Sequence, residues 1–243
     1  VHRHTLLMNK VMILCIAGMR EWVSTLYDHG YQILAIERSV RVEGKTVVPD
    51  IMLLNNRARH ILVVDCKSGP NIKPNQESKY ARMRLEDILE AARPPCGVSS
   101  HTFAYAANEE HVDRMREHTD FTIMAFGSHG VRGIGDFGHE GLTRELRAGV
   151  DLGSASEPRY APYPFSINDL WEDIDDVVAL GILACQPARP GARLLANRAT
   201  AREVLRAAHP FHEKFAPAHR AELVEVVRLS IARILARRAP RWF

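Results

Sequence analysis

The sequence predicts an α/β fold with a mixed central sheet and a mainly helical C-terminal region. Three observations carry that expectation. Between residues 31 and 66, three β-branched and aliphatic runs follow one another with connections too short for a helix. Charged helical runs and short apolar runs then alternate to residue 126. Beyond residue 167 mainly helical periodicity remains. The composition admits such a fold. The 243 residues are 46% hydrophobic and 25% charged, a globular mix that excludes disordered, collagen-like and coiled-coil classes.

In chain order, residues 6–27 are mostly apolar, and the spacing of Met19, Trp22, Val23 and Leu26 predicts a helix in their second half. Asp28-His29-Gly30 stops it. Strands are expected over Tyr31 to Val42, Val47 to Leu54 and Arg59 to Cys66, joined as antiparallel hairpins. Pro70 and Pro74 break the chain, a helix runs from Asn75 to Ala92, and Pro94-Pro95 ends it. His101 to Ala107 reads as a strand, Glu109 to His118 as a helix and Phe121 to Phe126 as a strand. A glycine-rich loop is expected over 127–141, a short helix over 142–148, an extended proline-bearing stretch over 151–166, and helices over 168–184, 199–208 and 218–238. The domain organisation expected from this order is a core over 1–130, a glycine- and proline-rich connection over 131–166, and a basic helical region over 167–243.

Charge is unevenly distributed. The chain's net +3 divides into twelve Lys/Arg against four Asp/Glu in residues 189–243, and twenty against twenty-five before them. Such asymmetry suits a polyanionic partner, and on charge alone equally a solvated arginine-rich face. Cys15, Cys66, Cys96 and Cys185 form no C-x-x-C pair, so neither a disulfide framework nor a zinc ribbon is expected, and a reducing cytoplasm fits. The longest apolar stretch, Val11 to Ala17, is too short to cross a bilayer, so no membrane partner is expected. Asn9-Lys10 interrupts the apolar run behind His2-Arg3-His4, which argues against a secretory leader.

The residues that carry chemistry lie at the ends of the second and third strands. Val48-Pro49-Asp50-Ile51 sets an acid on one, and Val64-Asp65-Cys66-Lys67 ends the next with an acid and a lysine. Positions i and i+2 of a strand share a face, so Asp65 and Lys67 stand side by side, and a hairpin brings Asp50 within reach. Paired carboxylates suit a hard cation such as Mg²⁺ or Mn²⁺, beside which a lysine orients water or offsets charge on a phosphate. Asp65 and Lys67 taken alone read also as a strand-end ion pair.

Pro49-Asp50 followed by Asp65-Cys66-Lys67 resembles the PD-(D/E)XK, or restriction-endonuclease-like, nuclease superfamily. Met19-Arg20-Glu21-Trp22-Val23 is similar to the first helix of archaeal Holliday-junction resolvases. Gln76 and Tyr80 resemble the Q-x-x-x-Y element of an exonuclease-type branch, and their i, i+4 spacing puts both on one helix face, within reach of a phosphate or of the active-site lysine. The resemblance covers residues 18–130 and implies an αβββαβ core around a mixed sheet. It implies Glu21, Asp50, Asp65 and the Cys66 carbonyl as metal ligands for Mg²⁺ or Mn²⁺, with Glu37 the runner-up to Glu21. It makes Glu21, Asp50, Asp65 and Lys67 catalytic and Gln76 and Tyr80 substrate-binding. Cys66 departs from the usual aliphatic residue, and clustered cysteines for an iron–sulfur cluster are missing.

The resemblance thus implies a metal-dependent deoxyribonuclease, with DNA as partner, in a setting of defence, restriction, repair or recombination. A homodimer or a place in a larger complex is compatible with it. The alternative is a non-catalytic DNA-binding or assembly module on the same fold, and a second rival is a protein-interaction subunit. On the last helix, Leu223, Val227, Ile231 and Leu235 form a stripe expected to be buried, leaving Arg220, Arg228, Arg233, Arg237 and Arg238 free for phosphates. Other motifs are weaker. Gly133-x-Gly135-x-x-Gly138 lacks the helix and second strand of a dinucleotide site, and a mobile loop is expected there. His209 and His212, separated by Pro210, are expected to be exposed or capping. The acids from Asp169 to Asp176 suit a helix start, and no G-x-S-x-G setting supports a serine hydrolase.

Overall fold

The computed structural model describes residues 3–17, 23–153, 161–185 and 199–238. The chain divides into a sheet unit, Leu6–Tyr160, and a helical unit formed by Val1–Thr5 with Ala161–Phe243.

The sheet unit takes α1 (Arg3–Ile13) from Leu6 onward, then the short α2 (Thr25–Asp28), and enters a meander. Strands β1 (Tyr31–Ile36), β4 (Ile51–Asn55) and β5 (His60–Lys67) pair antiparallel, as their short connections require. Between β1 and β4 the chain makes a separate two-stranded ribbon, β2 (Val40–Val42) with β3 (Lys45–Val47). Helices α3 (Pro74–Arg82) and α4 (Leu85–Ala92) then carry the chain over to β6 (Ser100–Asn108), parallel to β5. After α5 (Val112–Arg116), β7 (Thr122–Phe126) is parallel to β6. Strand β8 (Gly130–Ile134), helix α6 (Glu140–Ala148) and strand β9 (Val150–Asp151) complete the unit. The seven-stranded mixed sheet has the order β1-β4-β5-β6-β7-β8-β9.

Strands β4 and β5 are continuous apolar runs because both sheet faces are covered. Met52, Leu54, Ile61, Val63, Phe103 and Tyr105 share one core with Tyr80 of α3, Ile88 of α4 and Val112 and Met115 beside β6. Their neighbours Leu53, Leu62, Val64, Ala104 and Ala106 alternate to the opposite face and are fully buried as well.

Several expected elements are redrawn. The strand expected over Tyr31–Val42 stops at Ile36, since Glu37 has φ +47, a left-handed conformation that leaves the ladder. The strand expected over Val47–Leu54 breaks at Pro49, which has no N–H to donate. The helix expected over Asn75–Ala92 divides where Met83 and Arg84 turn extended, and the Asp87 carboxylate accepts the Arg84 N–H at 2.9 Å. Residues 131–151, expected to connect two regions, instead extend the sheet, so the core continues well past residue 130. The helix near the N-terminus occupies the first half of residues 6–27, with Leu7, Met8, Val11 and Met12 buried; Met19 and Trp22 lie outside the described residues.

The helical unit contains α7 (Trp171–Ala184), α8 (Ala201–Ala208) and α9 (Pro217–Arg238), each contacting the other two. Asp169 accepts hydrogen bonds from the Ser166 N–H and the Thr5 hydroxyl, and Thr200 caps α8 reciprocally with Glu203. Leu223 and Val227 are buried as the stripe predicts, but Leu235 is 63% exposed.

Candidate active site

Pro49 ends the pairing that would otherwise run from β3 into β4, so Asp50 stands at the mouth of β4 rather than inside a ladder. One step beyond the Ile51–Val64 pair lie Asp50 and Asp65. Asp50 is 8% exposed and Asp65 3%. The Asp50 Oδ2 accepts the Cys66 N–H at 2.5 Å, a bond that ties the two strands at their open end.

Asp65 and Lys67 share one face, as the two-residue period requires, and the Lys67 Nζ lies 2.6 Å from Asp65 Oδ2. That oxygen makes no hydrogen bond of regular geometry, so the contact is an ion pair rather than a directed bond. The other oxygen, Oδ1, accepts the Tyr80 hydroxyl at 2.6 Å and the Gln76 amide at 3.3 Å. Gln76 also accepts from Lys67 Nζ at 2.9 Å and donates to the Tyr80 hydroxyl at 3.1 Å. Residues Asp65, Lys67, Gln76 and Tyr80 therefore form one closed network, with α3 holding its two members one turn apart on the face that meets β5. Gln76 and Tyr80, expected to contact a phosphate or the active-site lysine, orient the acid and the lysine.

The network sits in an aromatic bed. Tyr80 stacks on Phe103 at 4.1 Å, Phe103 meets Tyr105 edge-on at 5.0 Å, and Lys67 Nζ lies 5.5 Å from the Tyr105 ring centre. Tyr105 is the residue that sequence reading misses. Its signal is the register that sets it beside Asp65 on the neighbouring parallel strand, which no linear motif reveals.

Burial, and then the charge of Asp50, pushes the Asp65 carboxyl up to about 6, against the opposing pull of Lys67 and Tyr80. Two acids thus face each other with less compensation than water would give. Burial and the charges of Asp50 and Asp65 raise the Cys66 thiol well above its usual range, so at neutral pH Cys66 offers a carbonyl and not a thiolate. The resulting donor set of carboxylate and carbonyl oxygens fits Mg²⁺ or Mn²⁺ in chemistry. Among the described residues no group of three His, Cys, Asp or Glu gathers as a metal site. Glu21, the third expected ligand, lies outside the described residues. Glu37 follows β1 directly, donates its N–H to the Asp50 carbonyl at 2.8 Å, and its charge is felt at Cys66.

The other sequence motifs prove structural. The glycines of the G-x-G-x-x-G stretch are places of close approach: a Cβ on Gly133 would meet Phe137 at 2.5 Å and Leu146 at 2.7 Å, and one on Gly138 would overlap His60 and Thr102. Gly133 lies in β8, not in a loop. His209 is fully buried among Tyr163, Phe165 and Phe215, where an exposed or capping role was expected. The C-terminal arginines are also committed. Arg233 and Arg237 reach Asp175 at 3.3 and 3.2 Å, Arg228 pairs with Glu225, and Arg220 donates to the carbonyls of Glu213 and Phe215. The expectation that these four stand free is thus not met, because Arg220, Arg233 and Arg237 tie α9 to other parts of the helical unit and Arg228 pairs within α9; the Arg238 side chain lies outside the described set.

No helix among the described residues is long and apolar enough to cross a membrane. Residues 3–129, just over half of the chain, match a family model described as the MJECL32 domain. No curated protein and no solved structure matches the chain.

Proposed function

The chain belongs to the MJECL32 domain family, and from the side chains gathered at the end of β4 and β5 we propose that it is a metal-dependent nuclease that hydrolyses phosphodiester bonds in DNA. The observation that carries this reading is the closed network of Asp65, Lys67, Gln76 and Tyr80 with Asp50 across the hairpin. A buried acid held against a part-buried lysine is costly to keep for stability alone. Here two further side chains are devoted to orienting them. The order of the elements around the site, a helix-led three-strand meander and then a crossover to a parallel strand, is compatible with the restriction-endonuclease-like core of the PD-(D/E)XK superfamily.

In this reading Asp50, Asp65 and the Cys66 carbonyl, with Glu21, hold Mg²⁺ or Mn²⁺. The ion, when bound, supplies positive charge to the scissile phosphate and the leaving 3′ oxygen. Lys67 acts from its 15%-exposed position, close enough to solvent to hold an attacking water by its ammonium donors. Gln76 fixes the Lys67 ammonium through its carbonyl oxygen, and Tyr80 fixes the Asp65 carboxylate through its hydroxyl. Neither Gln76 nor Tyr80 is required to touch substrate.

Linear, closed circular, single-stranded and branched DNA incubated with Mg²⁺ or Mn²⁺ tests the reading directly. Wild-type protein should cut at least one of these, and Lys67→Ala and Asp65→Ala should cut none while keeping the wild-type circular dichroism spectrum. Cutting by Lys67→Ala at the wild-type rate would sink the assignment. Tight DNA binding with no cleavage under any metal would favour the non-catalytic module instead.

A further inference from the structure

We propose that the β2–β3 ribbon and helix α3, and not Arg228, Arg233 and Arg237 of α9, form the surface that holds the DNA phosphate backbone beside the site. The proposal rests on the nuclease reading for the identity of the polyanion, and on independent geometry for its place. Residues 38–84 contain ten Lys/Arg and four Asp/Glu, and two of those acids are the site's own Asp50 and Asp65. Arg57 and Arg59 belong to the β4–β5 turn at the far end of the hairpin, and the other eight lie on or beside the ribbon, α3 and the end of β5.

Helix α3 leads from the site outward. Its first turn sets Gln76 against Lys67, its middle sends Lys79 to the Thr46 carbonyl of β3 at 3.3 Å, and its last turn pairs Arg82 with Glu43 at the ribbon's turn, 3.1 Å away. Nine residues of helix span about 13 Å, the length of about four phosphates on one strand of duplex. Arg41, Lys45 and Lys73 are exposed along this path, and their side chains make no hydrogen bond or ion pair with any described residue. The turn itself stands in open space: a Cβ on Gly44 would meet nothing within 4 Å. An antiparallel ribbon is also narrow enough to lie along a DNA groove. Three arginines of α9 offer the opposite case, since Arg233 and Arg237 would have to leave Asp175, and Arg228 leave Glu225, before reaching a phosphate.

The test is the affinity of the full chain for a short fluorescein-labelled duplex, read by fluorescence anisotropy in EDTA at several salt concentrations. The triple variant Arg41→Glu/Lys45→Glu/Lys73→Glu should lose about tenfold or more in affinity, and its slope of log K against log salt should be shallower by about 3, near 0.9 for each phosphate no longer neutralised. Lys45→Gln/Lys73→Gln, a milder change at two exposed positions, should lose about 2 of that slope and guards against misfolding of the triple variant. Arg228→Gln should bind as wild type does. Equal affinity and slope in wild type and both ribbon variants overturn the proposal, as does a wild type with no DNA affinity. Cleavage is scored separately. Binding that depends on the ribbon without any cutting retires the nuclease reading and leaves this surface standing. Cutting that is indifferent to the ribbon does the reverse.

Discussion

Asp65 shows how much of a site one residue can hold. Its two oxygens face different partners, one the Lys67 ammonium and the other the Tyr80 hydroxyl with Gln76. A hydrogen bond to a buried ionised carboxylate is worth about 1.5–3 kcal/mol, and the Tyr80 bond is short at 2.6 Å. Tyr80→Phe removes that hydroxyl and keeps the ring stacked on Phe103. The variant should therefore lose stability through that bond and the weaker one that Gln76 donates to the same hydroxyl, by about 1–3 kcal/mol, read as a lower urea midpoint with an unchanged slope. No change in midpoint would mean that Lys67 and Gln76 hold Asp65 unaided. The pair Asp65 and Lys67 was legible in sequence because a strand's period of two is strict. Their closure by Gln76 was legible only as a helical spacing, which left a phosphate and the active-site lysine open as its partner. A spacing of four tells which residues share a helix face but not what that face meets.

At the scale of elements, periodicity located nearly every strand and helix, while the backbone decided where each ended. Pro49 and the left-handed Glu37 cut two expected strands into four pieces and so freed the ribbon β2–β3. The glycine-rich stretch was harder. Glycines at 133, 135 and 138 read as a loop because propensity penalises glycine in a strand, yet β8 pairs with β7 from Ile134 to Val131. Tertiary contact explains the glycines better than local conformation does. Gly138 has φ +71 and lies against His60 and Thr102, themselves bonded at 3.1 Å. Gly138→Ala combines an unfavourable left-handed backbone, about 1 kcal/mol, with overpacking of about 1–3 kcal/mol. A loss of about 2–4 kcal/mol in denaturant unfolding is expected, with no effect on metal-dependent cutting once folded, because His60 begins β5 and Asp65 and Lys67 end it. A variant as stable as wild type would show that the loop shifts freely away from His60.

For the whole molecule, each unit contains a histidine that burial keeps neutral, and the two make stability depend on pH. His60, in the sheet unit, is 1% exposed, and burial first, then His101 and His139, lowers its pKa to about 4. His209, in the helical unit, is fully buried, and burial first, then His219 and His212, lowers its pKa to about 3. In the unfolded chain both titrate near the ordinary 6.5. The unfolded state therefore binds more protons between these limits, and stability falls as pH falls. The contribution is fully present above about pH 6.5 and is lost progressively down to about pH 4 for His60 and lower for His209, each worth a few kcal/mol by linkage. His209 has aromatic rings on three sides and no hydrogen bond of regular geometry from either ring nitrogen. His209→Phe keeps the ring among its aromatic neighbours and gives up only the contact with the Phe165 backbone. Amide hydrogen exchange in α8 and α9 should accelerate strongly between pH 7.5 and pH 5 in the wild type, after correction for intrinsic rates, and much less in this variant. Exchange in β4 and β5, where His60 and the raised Asp65 carboxyl act with opposite sign, should respond to pH alike in both proteins. Parallel loss of protection in α8 and α9 with and without His209 would place the acid sensitivity of the helical unit elsewhere.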